Sequence, residues 1–289
     1  MPVAAFSSGE GGSAAPVLKL ESGARSSGMG GSFCGIADDI DAVQYNPAGL
    51  VQLHRKEIML AHNEWIEGVK NEFVGFGMPI NEYWTAAIAL NYMHVDGLTG
   101  RDDSGTPTGK TFGGYNGLLT LNLCAQVSEG MYVGGNIKVV QESVDNRKGT
   151  AFCADAGFLY RLNNWRFGAS VLNAGTEMEL YEDSFPLPLT VKTGVSYMML
   201  KNTLLLTCDA NNRKDTGTDV RAGAEYVISE MFVARAGYKT NAAKNTGSGV
   251  TCGVSINHQD WNVDYAFLPY GDFGNTHRVS VSYKFGGRK

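Results

Sequence analysis

The stretch NTHRVSVSYKF, residues 275–285, alternates polar and apolar side chains to its end. Because successive side chains of a β-strand point to opposite faces, this pattern predicts a strand with one apolar and one polar face. Arg278 and Lys284 lie on the polar face. The apolar face, which we predict to contact lipid, consists of Val279, Val281, Tyr283 and Phe285. Such a strand suits either a half-buried sheet or the wall of a barrel in a membrane.

The composition narrows this choice. Charged residues make up 18% of the 289 residues, against roughly 25% in soluble globular domains. The net charge of −5 provides no basic field for binding nucleic acid. No run approaches the roughly 18 consecutive apolar residues that a membrane helix needs. A membrane protein with this sequence must therefore be a closed barrel.

From about residue 57 onward, short alternating segments are separated by turn-forming residues. Their spacing of about 16 residues suits the roughly 10-residue strands and connections of outer-membrane barrels. We therefore predict an all-β fold, a 14-stranded antiparallel transmembrane β-barrel, with a soluble antiparallel sandwich as the alternative. The fourteen strands are predicted near 57–66, 70–79, 83–95, 111–127, 131–144, 149–162, 165–173, 187–199, 202–211, 218–228, 231–240, 248–258, 260–268 and 275–285.

Charged residues recur on the less apolar face of these segments. A lumen can hold such charges paired and hydrated, whereas Lys or Arg facing lipid at mid-depth costs about 2–4 kcal/mol each. We therefore predict that these side chains face the lumen. They are Glu64, Lys138, Asp155, Arg166, Lys192, Asp209, Arg221, Glu225, Arg235, Asp264 and Arg278.

The first fifty residues have a different composition, rich in Gly, Ser and Ala. IADDIDAVQYNPAGL, residues 36–50, predicts a short helix that Asp38 or Asp39 caps and that ends at Asn46-Pro47. We expect residues 1–7 to be a start or the remnant of a signal, residues 8–50 an N-terminal plug, and residues 51–289 the barrel.

A fourteen-stranded barrel is too wide to fill with its own side chains, so an inserted plug of this size is expected. Arg25, Asp38, Asp39 and Asn46 are predicted to make polar contacts with inward charges such as Lys138, Arg221 or Arg235, because a buried charge needs a partner. The complete set of predicted plug residues is Arg25, Gly28, Gly30, Asp38, Asp39, Asn46 and Pro47.

The sequence contains no recognisable catalytic or metal-binding motif. GTPTGKT, residues 105–111, has one residue too few between its glycines for a phosphate-binding loop. Asp38, Asp39 and Asp41 lack the glycine and closing glutamate of an EF-hand. The five cysteines and five histidines show no ligand spacing. We therefore expect neither an enzyme nor a protein with a metal or another cofactor.

Residues 18–50, LKLESGARSSGMGGSFCGIADDIDAVQYNPAGL, resemble the amino-terminal signature of the PorV/PorQ-like outer-membrane proteins, a branch of the FadL-type fatty-acid transporter superfamily. Three other stretches are similar to the family's first hairpin, mid-barrel strand and closing hairpin. They are HNEWIEGVKNEFVGF at 62–76, DSFPLPLTVKTGVSY at 183–197 and NVDYAFLPYGDFGNTHRVSVSYKFG at 262–286. The resemblance implies a barrel in the bacterial outer membrane, in contact with its lipids, with an amino-terminal hatch.

The resemblance leaves two main functions open. The first is an accessory, docking or shuttle component of a type IX-like secretion system that binds secreted proteins or a translocon. The second is a FadL-type channel for uptake or export of a hydrophobic small molecule; a purely structural barrel is a third. A channel predicts an apolar pocket beneath the outer loops, and a docking protein an apolar patch on a rim or loop. The predicted loops that could serve are 96–111 and 174–186.

Overall fold

The computed structural model describes residues 12–65, 68–102, 104–145, 147–180, 183–240 and 248–287. In this part of the chain, fourteen antiparallel strands close into a barrel and two short strands form a separate hairpin. The predicted fold class is therefore confirmed. The strands are β1 (Lys56–Glu64), β2 (Lys70–Pro79), β3 (Trp84–Arg101), β4 (Pro107–Ser128), β5 (Met131–Val144), β6 (Arg147–Leu162), β7 (Trp165–Gly175), β8 (Met178–Leu180), β9 (Asp183–Phe185), β10 (Thr190–Met199), β11 (Leu204–Arg213), β12 (Gly217–Val227), β13 (Phe232–Lys239), β14 (Val250–His258), β15 (Trp261–Pro269) and β16 (Asn275–Phe285).

Barrel strands that follow each other in the chain are paired, and β1 pairs with β16 to close the ring. In that seam His62 lies opposite Val279, and Leu60 lies opposite Val281. The hairpin of β8 and β9 is inserted between β7 and β10, which pair directly. Closure pairs the strand edges that would otherwise expose unpaired N–H and C=O groups to hydrocarbon.

The connections at the two ends of the barrel differ in length. At one end, two-residue turns such as Glu129-Gly130 and Asn163-Asn164 join neighbouring strands. At the other end, the connection from β7 to β10 occupies residues 176–189. Since outer-membrane barrels have short periplasmic turns and longer external loops, we assign the short-turn end to the periplasm. The start of β1 and the end of β16 lie at this periplasmic end.

Two segments predicted to be loops contain paired strands, so these two predictions are wrong. Beyond the barrel rim, β3 and β4 continue as a two-stranded ribbon in which Leu98 lies opposite Phe112. The predicted loop 174–186 contains the β8–β9 hairpin. Both segments lie outside the membrane wall, so they lack the regular apolar alternation that identifies the wall strands.

The alternation along the strands separates an outer from an inner surface. Large apolar side chains such as Leu121 and Ile137 are exposed on the outside, the surface that faces lipid in an outer-membrane barrel. On β16, the outer positions alternate with the buried Ser280 and Ser282. These outer positions are Val279, Val281, Tyr283 and Phe285.

Residues 12–53 lie inside the barrel and are called the plug. The plug begins at the outer end, where the Ala14 N–H donates to the Pro186 carbonyl at 3.1 Å, and it continues into β1 at the periplasmic end. Asp39 caps the helix Ile40–Gln44, as predicted, by accepting from the Asp41 N–H. The other short helices of the plug are Pro16–Lys19, Ala24–Gly28 and Pro47–Gln52. None of the helices in the described ranges is long and apolar enough to cross a membrane.

The opposite faces of β16 can be distinguished by chemical labelling. In a bilayer, a Val281→Cys variant without the native cysteines should resist a charged methanethiosulfonate reagent, because position 281 faces outward. A Ser282→Cys variant in the same background should react, because Ser282 lines a water-accessible cavity of the lumen. Mass spectrometry measures the labelled fraction, and equal labelling of the two positions would contradict the barrel-wall assignment.

Candidate functional site in the barrel lumen

A set of inward-facing glycines in the wall lets the plug backbone approach closely. A Cβ atom at Gly168 would lie 2.0 Å from the carbonyl oxygen of Cys34, and one at Gly237 would lie 2.1 Å from the Gly30 nitrogen. Gly30 has φ +70 and lies against the backbone of Tyr238, so it meets both a steric and a conformational need for glycine. The other wall glycines with plug atoms at a comparable distance are Gly75, Gly77, Gly134, Gly157, Gly194 and Gly223.

Sequence reasoning identified the plug residues Gly28 and Gly30 but missed the wall glycines that face the plug. The Cα atom of Gly253 lies 3.1 Å from the position of a Cβ atom built on Gly28. The sequence contained a pattern that could have identified these wall glycines, because they occupy inward positions of strands whose outer positions are apolar. Glycine inside a strand often marks a close backbone approach of this kind.

Arg25 of the plug binds three carboxylates, one on the wall and two in the plug itself. Its guanidinium donates to both oxygens of Glu225 on β12, at 2.8 and 3.0 Å. It also donates to Asp38 at 2.6 Å and to Asp39 at 3.0 Å within the plug. Asp38 in turn accepts from Arg166 on β7 at 3.0 Å. Removing one partner of a buried ion pair typically costs about 3–5 kcal/mol, so this cluster holds the plug strongly.

The cations predicted to bind the plug acids have other partners. Arg235 pairs with Glu225 at 2.6 Å and with Asp264 at 2.9 Å, so it braces the wall acid that holds Arg25. Lys138 pairs with Asp155 at 2.6 Å within the wall. Lys138, Arg221 and Arg235, the cations named in the prediction, are therefore the wrong partners for Asp38 and Asp39. Asp38 does contact an inward wall charge, but that charge is Arg166, and the plug supplies its own Arg25 to both acids.

A second cluster holds Glu21 of the plug. Arg221 forms an ion pair with the Glu21 carboxylate and a 2.6 Å pair with Asp219. Arg278 donates to the Glu21 carbonyl at 2.7 Å and to the Ser27 hydroxyl at 2.6 Å. Glu21 was not among the predicted site residues, because nothing in its local sequence separates it from a solvated surface glutamate.

Asp209 and Lys192, two other predicted inward residues, contact the plug through its backbone and through an aromatic ring, respectively. Asp209 accepts from the N–H groups of Phe33 and Cys34, both at 2.7 Å. The Lys192 ammonium lies 4.5 Å from the centre of the Tyr45 ring.

The plug turn at Asn46-Pro47 contacts the wall directly. Asn46 donates to the Phe158 carbonyl at 2.9 Å, a wall backbone group and not one of the predicted cations. The Pro47 carbonyl accepts from the Asn122 amide at 3.2 Å.

The prediction that Glu64 faces the lumen is wrong. On β1 the buried inward positions are Met59, Ala61 and Asn63, so Glu64 falls on the outer face and is exposed. A shift of one position reverses the face of a strand residue, and Glu64 lies at the outer end of its strand, where the pattern is least constrained.

The outer half of the lumen is filled by apolar side chains. Val17 from the plug, Met178 from β8 and Leu187 pack in one buried cluster with the wall residues Leu118 and Val140. The cavity beside this cluster has a volume of about 30 Å³. The space beneath the external loops is therefore occupied by the chain itself.

The periplasmic half of the lumen contains a larger, polar cavity of about 430 Å³, called the lower cavity. Asp38 and Asp41 of the plug line it. Burial opposes ionisation of Asp38, but the charges of Arg25 and Arg166 outweigh it and hold the pKa of Asp38 well below its usual range. Burial and the charge of Asp39 raise the pKa of Asp41 to about 7, although Ser26 donates to its carboxylate.

The wall glycines allow a test of plug seating. A Gly168→Val change should displace the plug, because its Cβ would overlap the Cys34 carbonyl, whereas Gly117→Val should not, because a Cβ there meets no atom within 4 Å. Planar-bilayer recordings of the purified variants should show higher conductance for Gly168→Val only. Equal conductance of the two variants would argue against a seat built on glycine.

The raised pKa of Asp41 predicts a plug that loosens as the pH rises. The docked plug binds the proton more tightly than a released plug does, so this stabilisation is lost as the pH rises through about 7. Conductance should increase between about pH 4 and about pH 7 and level off above that, and an Asp41→Asn variant should remove this dependence. An unchanged pH profile in the variant would assign the effect to another group.

Two family models match the chain, each over slightly more than half of its length. Residues 7–152 match the uncharacterised protein family UPF0164, and residues 120–285 match the type IX secretion system membrane protein PorP/SprF. No curated protein gives a significant match.

The fold is similar to those of solved channels, at sequence identities that show the fold alone. The toluene transporter TodX of Pseudomonas putida is 12% identical, with a TM-score of 0.69 over 91% of this chain and 98% of its own. The toluene transporter TbuX of Ralstonia pickettii is 14% identical, with a TM-score of 0.67 over 93% and 100%. A FadL homologue of Pseudomonas aeruginosa is 11% identical, with a TM-score of 0.67 over 92% and 98%.

These matches confirm the predicted barrel fold and the predicted link to type IX secretion membrane proteins, while the narrower PorV/PorQ assignment stays a prediction. The PorP/SprF family and the matched structures are secretion and transport proteins. The chain belongs to the UPF0164 family through its plug and first strands, and to the PorP/SprF family of type IX secretion system membrane proteins through the strands that complete the barrel.

Proposed function

We propose that this protein is an accessory component of a type IX-like secretion system that docks or shuttles secreted proteins at the outer membrane, as its resemblance to PorV/PorQ-like proteins implies. The observation that carries this proposal is the ribbon formed by β3 and β4 beyond the rim. Its described residues, 95–102 and 104–113, extend beyond the external end of the barrel and are largely exposed.

The ribbon has the properties of a strand-docking surface. β2 pairs with β3 only as far as His94, and β5 pairs with β4 only as far as Gly114. Among the described residues, no strand pairs with the outer edges of 98–101 and 107–112. Unpaired edges of this kind accept an added strand from another chain through main-chain hydrogen bonds. The partner we propose is an extended segment of a secreted protein.

The state of the lumen supports docking over conduction. The apolar cluster around Met178 fills the outer half, and the Arg25 and Glu21 clusters fix the plug to the wall. A protein that binds its partners at the rim of the barrel does not need an open passage through the lumen.

A second candidate is a channel for a hydrophobic small molecule. The fold shared with the toluene transporters TodX and TbuX supports it. So does the apolar cluster, because a hydrophobic ligand that displaced Val17 and Met178 would occupy an apolar site beneath the external loops. Saturable binding of toluene by the purified protein would favour this candidate.

The ribbon can be removed without disturbing the barrel register. Val95 lies opposite Gly114, so replacing residues 96–113 by Asn-Gly joins a pair that already faces each other through a favoured two-residue turn. In a deletion strain of the native host, this variant should still migrate as a heat-modifiable barrel. Secretion of cargo should fall to the level of the deletion strain, and cross-linked cargo should no longer copurify.

An insertion of Asn-Gly between Ser229 and Glu230, in a turn at the periplasmic end, provides the control and should leave secretion unchanged. Normal secretion by the ribbonless variant would refute the docking role of the ribbon.

A further inference from the structure

The lower cavity has an excess of negative charge. Seven carboxylates line it, against the cationic side chains of Arg25, Arg235 and Lys284. Arg55 lies just outside the lining and neutralises one of these seven acids by pairing with Asp260 at 2.5 Å. Arg166, also outside the lining, pairs with Asp38 at 3.0 Å. Five cations therefore face seven acids, and the four arginines are already engaged in ion pairs.

Glu57 is the acid in this cavity without a hydrogen bond. Its side chain is buried, with 1% exposed, and neither carboxylate oxygen has a hydrogen-bond partner. Asp41, by contrast, accepts from Ser26, from the Gly23 N–H and from Gln44. A buried carboxylate without a donor is costly unless a partner arrives, so Glu57 indicates a missing cation.

The cation nearest to Glu57 is held loosely. The Lys284 ammonium lies 3.7 Å from a Glu57 oxygen, beyond hydrogen-bond distance, and the Lys284 side chain is 51% exposed. An ammonium that keeps its water and a flexible stem can be replaced by another cation that makes direct hydrogen bonds.

One apolar residue lies beside Glu57 on the wall. Met59 lies two positions along β1 on the same inward face. Val227 and Val233 line the cavity from β12 and β13, which β14, β15 and β16 separate from β1. A volume of about 430 Å³ accommodates a ligand with a carbon chain as well as a charge. The lining thus presents a carboxylate with the apolar side chain of Met59 next to it.

We propose that the lower cavity is a binding site for a primary alkylammonium group, which displaces Lys284 and donates hydrogen bonds to Glu57 while its methylene chain packs against Met59. The group can come from a free diamine or from a lysine side chain of a polypeptide on the periplasmic side. The site does not depend on the proposed docking role of the external ribbon.

Isothermal titration calorimetry on the full chain in detergent, at about pH 8 so that carboxylates are ionised, tests this site. The probes are cadaverine, Nα-acetyl-lysine methylamide and the neutral 1-pentanol. Both ammonium probes, or one of them, should bind saturably, and 1-pentanol should not. Tighter binding of cadaverine identifies a free diamine as the source, and tighter binding of the lysine derivative identifies a side chain.

Two variants should change the affinity for the ammonium probes in opposite directions. Glu57→Gln should weaken binding about tenfold or more, because it removes the charge that the ammonium pairs with. Lys284→Met should strengthen binding, because it removes the competing ammonium. A gain of affinity cannot result from misfolding, so this variant keeps the test decisive if Glu57→Gln folds poorly.

Glu64→Gln is the matched control, because Glu64 is a carboxylate of the same strand on the outer face, and it should leave binding unchanged. Absence of saturable binding by both ammonium probes would overturn the proposal. So would equal binding of 1-pentanol, or an unchanged affinity in both Glu57→Gln and Lys284→Met.

Discussion

The pairing of β1 with β16 is the constraint on which the rest of this structure depends. Hydrocarbon offers no partner to a backbone N–H or C=O group, so the wall strands must satisfy each other around a complete ring. Closing the ring at fourteen strands fixes a circumference that the wall's own side chains cannot fill. The plug, its glycine seat and its buried ion pairs are consequences of that width.

The plug fills the wide lumen through two kinds of contact with the wall. Where backbone lies against wall, as at Gly168 and Gly237, glycine removes the Cβ that would keep the two apart. Where side chains fill the gap, Arg25 and Arg221 carry charge into the lumen and pair with Glu225 and Glu21. Buried charges of this kind are tolerated because each has a fixed partner, and they specify one seating of the plug over others.

The two ends of the lumen differ as a result. The external half is closed by apolar packing under the β8–β9 hairpin, and the periplasmic half keeps a hydrated cavity bordered by acids. We propose that other molecules are recognised at the two ends: at an exposed ribbon with unpaired strand edges outside, and at a carboxylate-lined cavity inside. Neither requires a continuous passage through the barrel.

The sequence alone determined the strands of the wall, most of their inner and outer faces and a helix cap at Asp38 or Asp39, because these follow from local periodicity and local hydrogen bonds. It could not determine which charges meet. Arg25 reaches Glu225, 200 positions away, only because closure and plug threading bring them together. The face of Glu64, the ribbon beyond the rim and the unpartnered Glu57 likewise depended on tertiary structure, since each is set by which strands lie alongside and where pairing stops.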